Sequence, residues 1–404
     1  MAVVAIVDTG VNTQHLKLRD NLWVNPLEIP SNGIDDDLNG VVDDIHGFDV
    51  ITGQPIAAIG DPEGHGSHVA GIVTQTSNAA EIMAIRLLDE NGSGNISDAI
   101  NAWSYALLQG ATVINNSWGA LGIEPSQVNF MEEAIDIGEE VFGAVFVAAA
   151  GNESVNTDQI ANTPSNANGM ISVGASNKKN RKRAKFSNVG RNTVDLFAPG
   201  VNISSVNAFS TSSLIAFSGT SMAAPIVAGA AAILQDRSPD ATPLEVKSTL
   251  ISGVKSRKKL KKFSVAGGVL SNEFTKAFTR SQRQQKSRKI KPYQSDISSI
   301  GKKNFTRIVC VLDQPSQNTK MDIWNELIDH PFTKDNGISW PEAYENRICI
   351  LEVEKDYQSR FERKSAIRSI RKSGHFESVE WDRTIGIQLF NEANIVNSCE
   401  SQLL

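Results

Sequence analysis

Across its first 278 residues the chain alternates short apolar runs with stretches of helical spacing. Residues 2–7, 82–88, 112–116, 144–149, 170–174 and 194–197 are the apolar runs. They have the length of buried strands and are too short for helices. Residues 98–109, 130–142 and 223–235 carry the helical pattern. Such alternation predicts an α/β fold, a parallel sheet covered by helices on both faces. In open sheets of that kind, sites form beyond the carboxyl ends of the strands. Asp8 stands at such an end.

Composition sets the outer bounds. The 404 residues are 40% hydrophobic and 21% charged, ordinary for a globular protein with room for one large core and a second, smaller one. The net charge of −6 excludes a general nucleic-acid binder. The three cysteines, Cys310, Cys349 and Cys399, are odd in number and late in the chain, so no disulfide framework is expected. No run reaches the roughly 18–20 apolar residues of a membrane span. No basic region precedes residues 2–7, and Asp8 ends that run too early for a signal peptide. The expected setting is cytoplasmic, with no membrane partner.

Charge divides the chain in three. Residues 1–278 hold 19 basic and 28 acidic side chains, residues 279–304 hold 8 and 1, and residues 305–404 hold 12 and 16. The middle segment is rich in Ser, Gln, Lys and Arg and poor in apolar residues, the composition of a flexible linker. Beyond it, residues 306–312 and 347–353 read as strands, 321–329 and 361–372 as helices, and 378–390 as an extended segment. Residues 305–391 thus predict a small α+β domain, followed by a tail over 392–404.

Three motifs carry chemistry. Asp8 closes the first apolar run in Val7-Asp8-Thr9-Gly10. His65 opens a helix-like run in Gly64-His65-Gly66-Ser67-His68. Ser221 lies in Gly219-Thr220-Ser221-Met222-Ala223-Ala224-Pro225, ahead of a helix of small residues. A serine hydroxyl needs an adjacent base to act as a nucleophile at neutral pH. An imidazole can be that base, and a carboxylate can fix its tautomer. The dipole of a helix starting at Ser221 would favour an oxyanion there, and Pro225 suits a first helical turn, whose N–H groups lack helical partners. His68 reads as a packed structural histidine.

With Asp, His and Ser in this chain order and these flanks, residues 1–278 resemble the subtilisin-like serine proteases. The resemblance implies a serine endopeptidase acting on protein or peptide substrates. In it, Asp8 orients His65, His65 is the general base and acid, and Ser221 is the nucleophile. Ala148-Ala149-Ala150-Gly151-Asn152 matches the family's oxyanion segment, with Asn152 as donor. Gly92, Ser93, Gly94, Ser117, Trp118, Gly119, Ala150, Gly151 and Thr220 fall on the implied substrate walls, and 163–166 and 170–175 complete the pocket. The glycines let another backbone approach closely, and strand addition supplies affinity with little sequence demand.

Two regions go beyond that match. Asp35-Asp36-Asp37-Leu38-Asn39-Gly40-Val41-Val42-Asp43 resembles half of an EF-hand loop, although His46 stands where the closing glutamate belongs. Asp35, Asp37, Asn39, Asp43 and the Val41 carbonyl are the ligands expected for a structural calcium, and a solvated acidic loop is the other reading. The segment Phe376-Glu377-Ser378-Val379-Glu380-Trp381-Asp382 resembles the end of the family's propeptides. It implies a ferredoxin-like C-terminal domain that inhibits the protease intramolecularly, against the alternative of an unrelated adaptor. The runner-up function is a latent protease or recognition module, activated by a protein partner through this domain.

Overall fold

The structure is a computed structural model that describes residues 1–123 and 125–271, the side chains of 125 and 126 excepted. Beyond them it describes the backbone of five strands: Thr306–Leu312, Ile338–Ser339, Ile348–Val353, Phe376–Trp381 and Thr384–Ile387. The expected linker, the two C-terminal helices and the tail lie outside the described residues.

A ten-stranded sheet organises the first part. Its order is Val254–Ser256, Gly268–Leu270, Leu196–Pro199, Ile171–Ser176, Val145–Ala149, Val113–Asn116, Val3–Asp8, Glu81–Arg86, Gly47–Asp49 and Gln54–Pro55. Pairing is parallel through the middle and antiparallel only at the two edges. All six expected strands are present, shifted by a residue or two. The Val3–Asp8 strand is flanked by Glu81–Arg86 on one side and Val113–Asn116 on the other, so successive crossovers leave it in opposite directions. This is the switch point at which open α/β sheets form a crevice, and Asp8 occupies its carboxyl end.

Five helices cover the faces: α1 (His65–Thr76), α2 (Ile96–Leu108), α3 (Pro125–Phe142), α4 (Thr220–Arg237) and α5 (Pro243–Ser252). Side chains alternate across a strand, and each central strand therefore feeds two cores. Val4 and Ile6 pack with Val69 and Val73 of α1, Ala223 to Leu234 of α4, and Val246 and Leu250 of α5. Ala5 and Val7 pack with Ile100 and Trp103 of α2 and with Phe130 and Met131 of α3. Helix α4 is made of small residues because it runs buried across the sheet, with Ala223, Ala224, Ala228, Ala230, Ala231 and Ala232 all fully enclosed. Pro225 corrects the expectation of a first-turn proline. It is the sixth residue of α4, where the missing N–H deprives the Ser221 carbonyl of its helical donor. Ser117 Oγ donates to that carbonyl instead, at 3.0 Å.

The C-terminal strands form a four-stranded sheet in the order Ile338–Ser339, Ile348–Val353, Thr306–Leu312, Phe376–Trp381, antiparallel throughout. That order and pairing are those a ferredoxin-like domain requires. Ile338–Ser339 is a strand that sequence reading did not find. The sheet lies against α3 through Thr306–Leu312 and Phe376–Trp381. The last strand, Thr384–Ile387, leaves this sheet and joins the first domain.

Candidate active site

Three chain segments converge at the switch point. Asp8 ends its strand, with Oδ1 accepting from the Thr9 backbone N–H at 2.8 Å. His65 is the first residue of α1, and its Nδ1 lies 2.7 Å from Asp8 Oδ1. Helix α1 reaches the strand because position 66 is glycine. A Cβ there would sit 2.2 Å from the Gly10 carbonyl oxygen and 3.1 Å from Asp8 Cβ. Ser221 is the second residue of α4, and its hydroxyl donates to the Ser117 carbonyl at 2.9 Å. His65 Nε2 is buried without a hydrogen-bond partner. The structure thus makes the Asp8–His65 bond, while the Ser221 hydroxyl is turned toward Ser117 rather than onto the ring. Catalytic hydrogen bonds commonly tighten only once substrate is bound.

The oxyanion side is equally defined. Asn152 Oδ1 accepts from the Thr220 backbone N–H at 2.9 Å and from Thr220 Oγ1 at 3.1 Å. This fixes the amide and leaves Nδ2 buried with no partner. The Ser221 N–H lies in the first turn of α4, where no helical acceptor exists. Thr220 Oγ1 also accepts from Gly151 N–H at 3.1 Å. Gly151 has φ +99°, and a Cβ would come 2.2 Å from Asn188 Nδ2, so the Ala150-Gly151-Asn152 turn excludes a side chain.

Sequence reasoning missed a set of acidic residues behind His65. Asp61 accepts from Thr9 Oγ1, Gly64 N and Ser67 N, each at 2.7 Å. Thr9 Oγ1 in turn accepts from Gly66 N at 2.9 Å. A buried carboxylate therefore caps the open N–H groups of α1 and ties them to the Asp8 strand. Glu63 accepts from His65 N at 2.9 Å. Burial raises the pKa of both Asp61 and Glu63. Burial works against a charged His65 ring, yet Asp8, Glu63 and Asp61 outweigh it and raise the His65 pKa. The acidic pair Asp61 and Glu63 around Pro62, just before the helix, was the available signal.

A pH consequence follows. A general base must be neutral, so activity is lost as pH falls through the raised His65 pKa. Glu63→Gln removes one carboxylate that holds this pKa up. The acid limb of the kcat/KM profile on a short peptide should then move to lower pH. An unmoved or upward-shifted limb would refute a role for Glu63 in tuning the base.

His68 is structural, as expected. Its Nε2 lies 3.1 Å from both the Ile203 and Ile215 carbonyls, and its ring stacks on Phe217. Burial and the neighbouring His65 push its pKa down to about 4.

The wall segments are strands. Ser93–Asn95 and Trp118–Leu121 run side by side, and Thr384–Ile387 lies between them. Gly92 forms the turn before the first wall, its N–H donating to the Asp89 carbonyl at 3.0 Å. The expectation for Trp118 is corrected at the side chain. Its backbone belongs to the wall, but its indole stacks on Trp103 in the core and donates to the Val7 carbonyl. On the far side Ala120 pairs with Thr163.

The acidic loop is also corrected. Asp35 accepts from Asn39 N and Gly40 N, and Asp43 from Asn32 N and Gly33 N. Both carboxylates are engaged in shaping the loop. Asn39 Nδ2 donates to Asp37 and Asp44, and Val41 N–H donates to Asn39 Oδ1. The oxygens that converge are those of Glu28, Asp37 and Asp44, within 4.8 Å of one another. Only Asp37 belongs to the expected set. Burial raises Asp44 to about 7, and Tyr105 OH donates to it.

This sheet, with an Asp–His pair and a helix-capping serine at its switch point, defines a hydrolase of the serine type. The chain belongs to the subtilase family, whose model matches residues 1–276. It is 37% identical over 243 residues to a thermophilic serine proteinase of Bacillus sp. (strain AK1), covering 57% of this chain and 51% of that relative. It is 30% identical to subtilisin DY of Bacillus licheniformis, covering 62% and 82%. The chain therefore spans about half the length of the first of these. Among solved structures, a cold-adapted subtilisin-like serine proteinase is similar with a TM-score of 0.51 at 28% identity, over 67% of this chain and 86% of that one. A lanthipeptide protease shares the fold, with a TM-score of 0.57 at 22% identity, over 69% and 87%.

Proposed function

We propose that this chain is a serine endopeptidase that cuts extended peptides through an acyl-enzyme on Ser221. The observation that carries the reading is the 2.7 Å Asp8–His65 bond, formed where the N-terminus of α4 presents Ser221. Ser221 Oγ attacks the peptide carbonyl as His65 Nε2 takes its proton. Asp8 holds Nδ1 protonated and stabilises the imidazolium. Asn152 Nδ2 and the Ser221 N–H receive the oxyanion. His65 then returns the proton to the departing amine, and water releases the acyl group by the same route in reverse. The Ser93–Asn95 and Trp118–Leu121 walls hold the peptide main chain as an added strand.

The same chain is held latent by its own C-terminal strand. Asp8, His65 and Ser221 have no exposed surface, and Thr384–Ile387 takes the place between the walls that a substrate would take. A partner that withdraws this strand would activate the enzyme, which is why the latent-protease reading stays beside the simple one. A fluorophosphonate probe tests both. Ser221 should label weakly in the full chain and strongly in Gly386→Pro, because proline lacks the N–H that pairs this position with the walls. Ser221→Ala should not label. Absence of label in Gly386→Pro would sink the protease reading, and equal strong labelling of the full chain would sink latency.

Glu28, Asp37 and Asp44 form an all-oxygen donor set that suits a hard divalent cation. They would hold a calcium ion whose work is structural, offsetting the mutual repulsion of the loop carboxylates. Thermal unfolding should move to higher temperature with calcium than with chelator, and Asp37→Asn should shrink the difference. Equal midpoints with and without calcium would exclude such a site.

A further inference from the structure

We propose that the chain cuts its own backbone between Gln388 and Leu389. The inference rests on the assignment of Ser221 as the nucleophile, and it starts from the register of the last described strand. Thr384 pairs with Asn95, Ile385 with Gly94 and Gly386 with Ser93 along one wall. Along the other, Gly386 pairs with Gly119 and Ile387 with Trp118. Both pairings are antiparallel, so the strand is held on each edge over its whole length.

Direction decides what this strand is. Each residue forward from Gly386 steps one residue back along the second wall, from Gly119 to Trp118. The wall position after Trp118 is Ser117. Its carbonyl accepts the Ser221 hydroxyl at 2.9 Å, and its Oγ donates to the Ser221 carbonyl at 3.0 Å. The next residue of the sequence, Gln388, is therefore the one that the register delivers to the nucleophile. A peptide is cut by attack on the carbonyl of the residue held at the wall, with the chain beyond it as the leaving amine. A strand of opposite polarity would bring no such carbonyl to Ser221. This strand enters with its amino side held by both walls and its carboxyl side heading for Ser221, as a substrate must. Beside it waits the unpartnered Asn152 Nδ2.

The chemistry balances with water as the only co-reactant. Ser221 Oγ bonds to the Gln388 carbonyl carbon, and its proton passes to His65. The C–N bond to Leu389 breaks as His65 protonates the leaving nitrogen, freeing the peptide 389–404. Water then hydrolyses the ester, which leaves a carboxylate on Gln388 and restores the serine. Attachment to the same chain raises the effective concentration of this bond to the millimolar range or above. The new C-terminus stays tethered to the sheet that packs on α3, so trimming the tail and vacating the cleft are separate events.

The test is intact-mass spectrometry of the purified full chain, wild type and Ser221→Ala, with sequencing of any released peptide. Wild type is expected to end at Gln388 and to release a peptide that begins at Leu389, while Ser221→Ala keeps its full mass. The same cut in Ser221→Ala would assign the cleavage to a contaminating protease and overturn the proposal, as would a wild-type cut at another bond of 384–404. Fluorophosphonate labelling of Gly386→Pro separates the two failures. An uncut wild type whose Gly386→Pro variant labels at Ser221 would overturn self-cleavage and leave the protease reading standing. An uncut wild type whose Gly386→Pro variant does not label would overturn both.

Discussion

Ser221→Ala, compared with its parent in a Gly386→Pro background that opens the cleft, is expected to lower kcat on a short peptide by a factor on the order of 10⁶. That is the size measured when the nucleophile of a subtilisin is removed, because the members of such a triad act as a unit. It corresponds to about 8 kcal/mol of transition-state stabilisation. The loss should fall on kcat, since the walls that bind the peptide are main-chain edges that the substitution does not touch. Ser117 is the one other hydroxyl in contact with Ser221. Its Oγ is directed at the Ser221 carbonyl and sits on the wall, away from His65. Residual activity within tenfold of the parent would mean that another group performs the attack, and the assignment of Ser221 would fall.

Asn152→Ala should cost about 10²–10³ in kcat, roughly 2.7–4 kcal/mol, the range known for loss of this donor in a subtilisin. The physical reason is visible in the bonds. Asn152 Oδ1 is held twice by Thr220, which leaves Nδ2 aimed and unpaired in a buried site. A donor waiting for charge that develops only in the transition state raises kcat and leaves ground-state binding little changed. Thr220→Val removes one of the two restraints and should produce a smaller loss of the same kind. A rise in KM at constant kcat for Asn152→Ala would place the side chain in substrate binding instead.

The sheet and the three reactive residues were legible because their signals are local. An apolar run that ends on Asp8, or a small-residue helix that begins at Ser221, declares its role within ten residues of sequence. Helix α5 was also written locally, as Thr242-Pro243 with Glu245 closing a reciprocal cap, and was overlooked because its apolar face is only Pro243, Val246 and Leu250. What sequence could not show is which carboxylates meet. In the acidic loop the alternation of Asp35, Asp37 and Asn39 suggested an EF-hand, yet a tight turn satisfies its own N–H groups with the nearest carboxylates. Glu28 and Asp44, farther apart in sequence, then meet Asp37. Asp61 and Glu63 were hidden for a similar reason, since their effect on His65 depends on how α1 starts rather than on spacing. The propeptide-like end of the chain was readable as a class of segment. Its polarity and register came only from the pairing of Thr384–Ile387 with two loops that lie about 270 residues upstream.

The double-sided packing of the Val3–Asp8 strand has a consequence for how this protein can change over time. Val4 and Ile6 answer to one set of helices, Ala5 and Val7 to another. No residue of the strand therefore has a free neighbour against which to drift. Variation is steered outward, to the loops that grip the peptide and to the segment that closes the cleft. The catalytic carboxylate stands on the most conservative ground in the molecule, while the surfaces that choose what is cut, and when, stay open to revision.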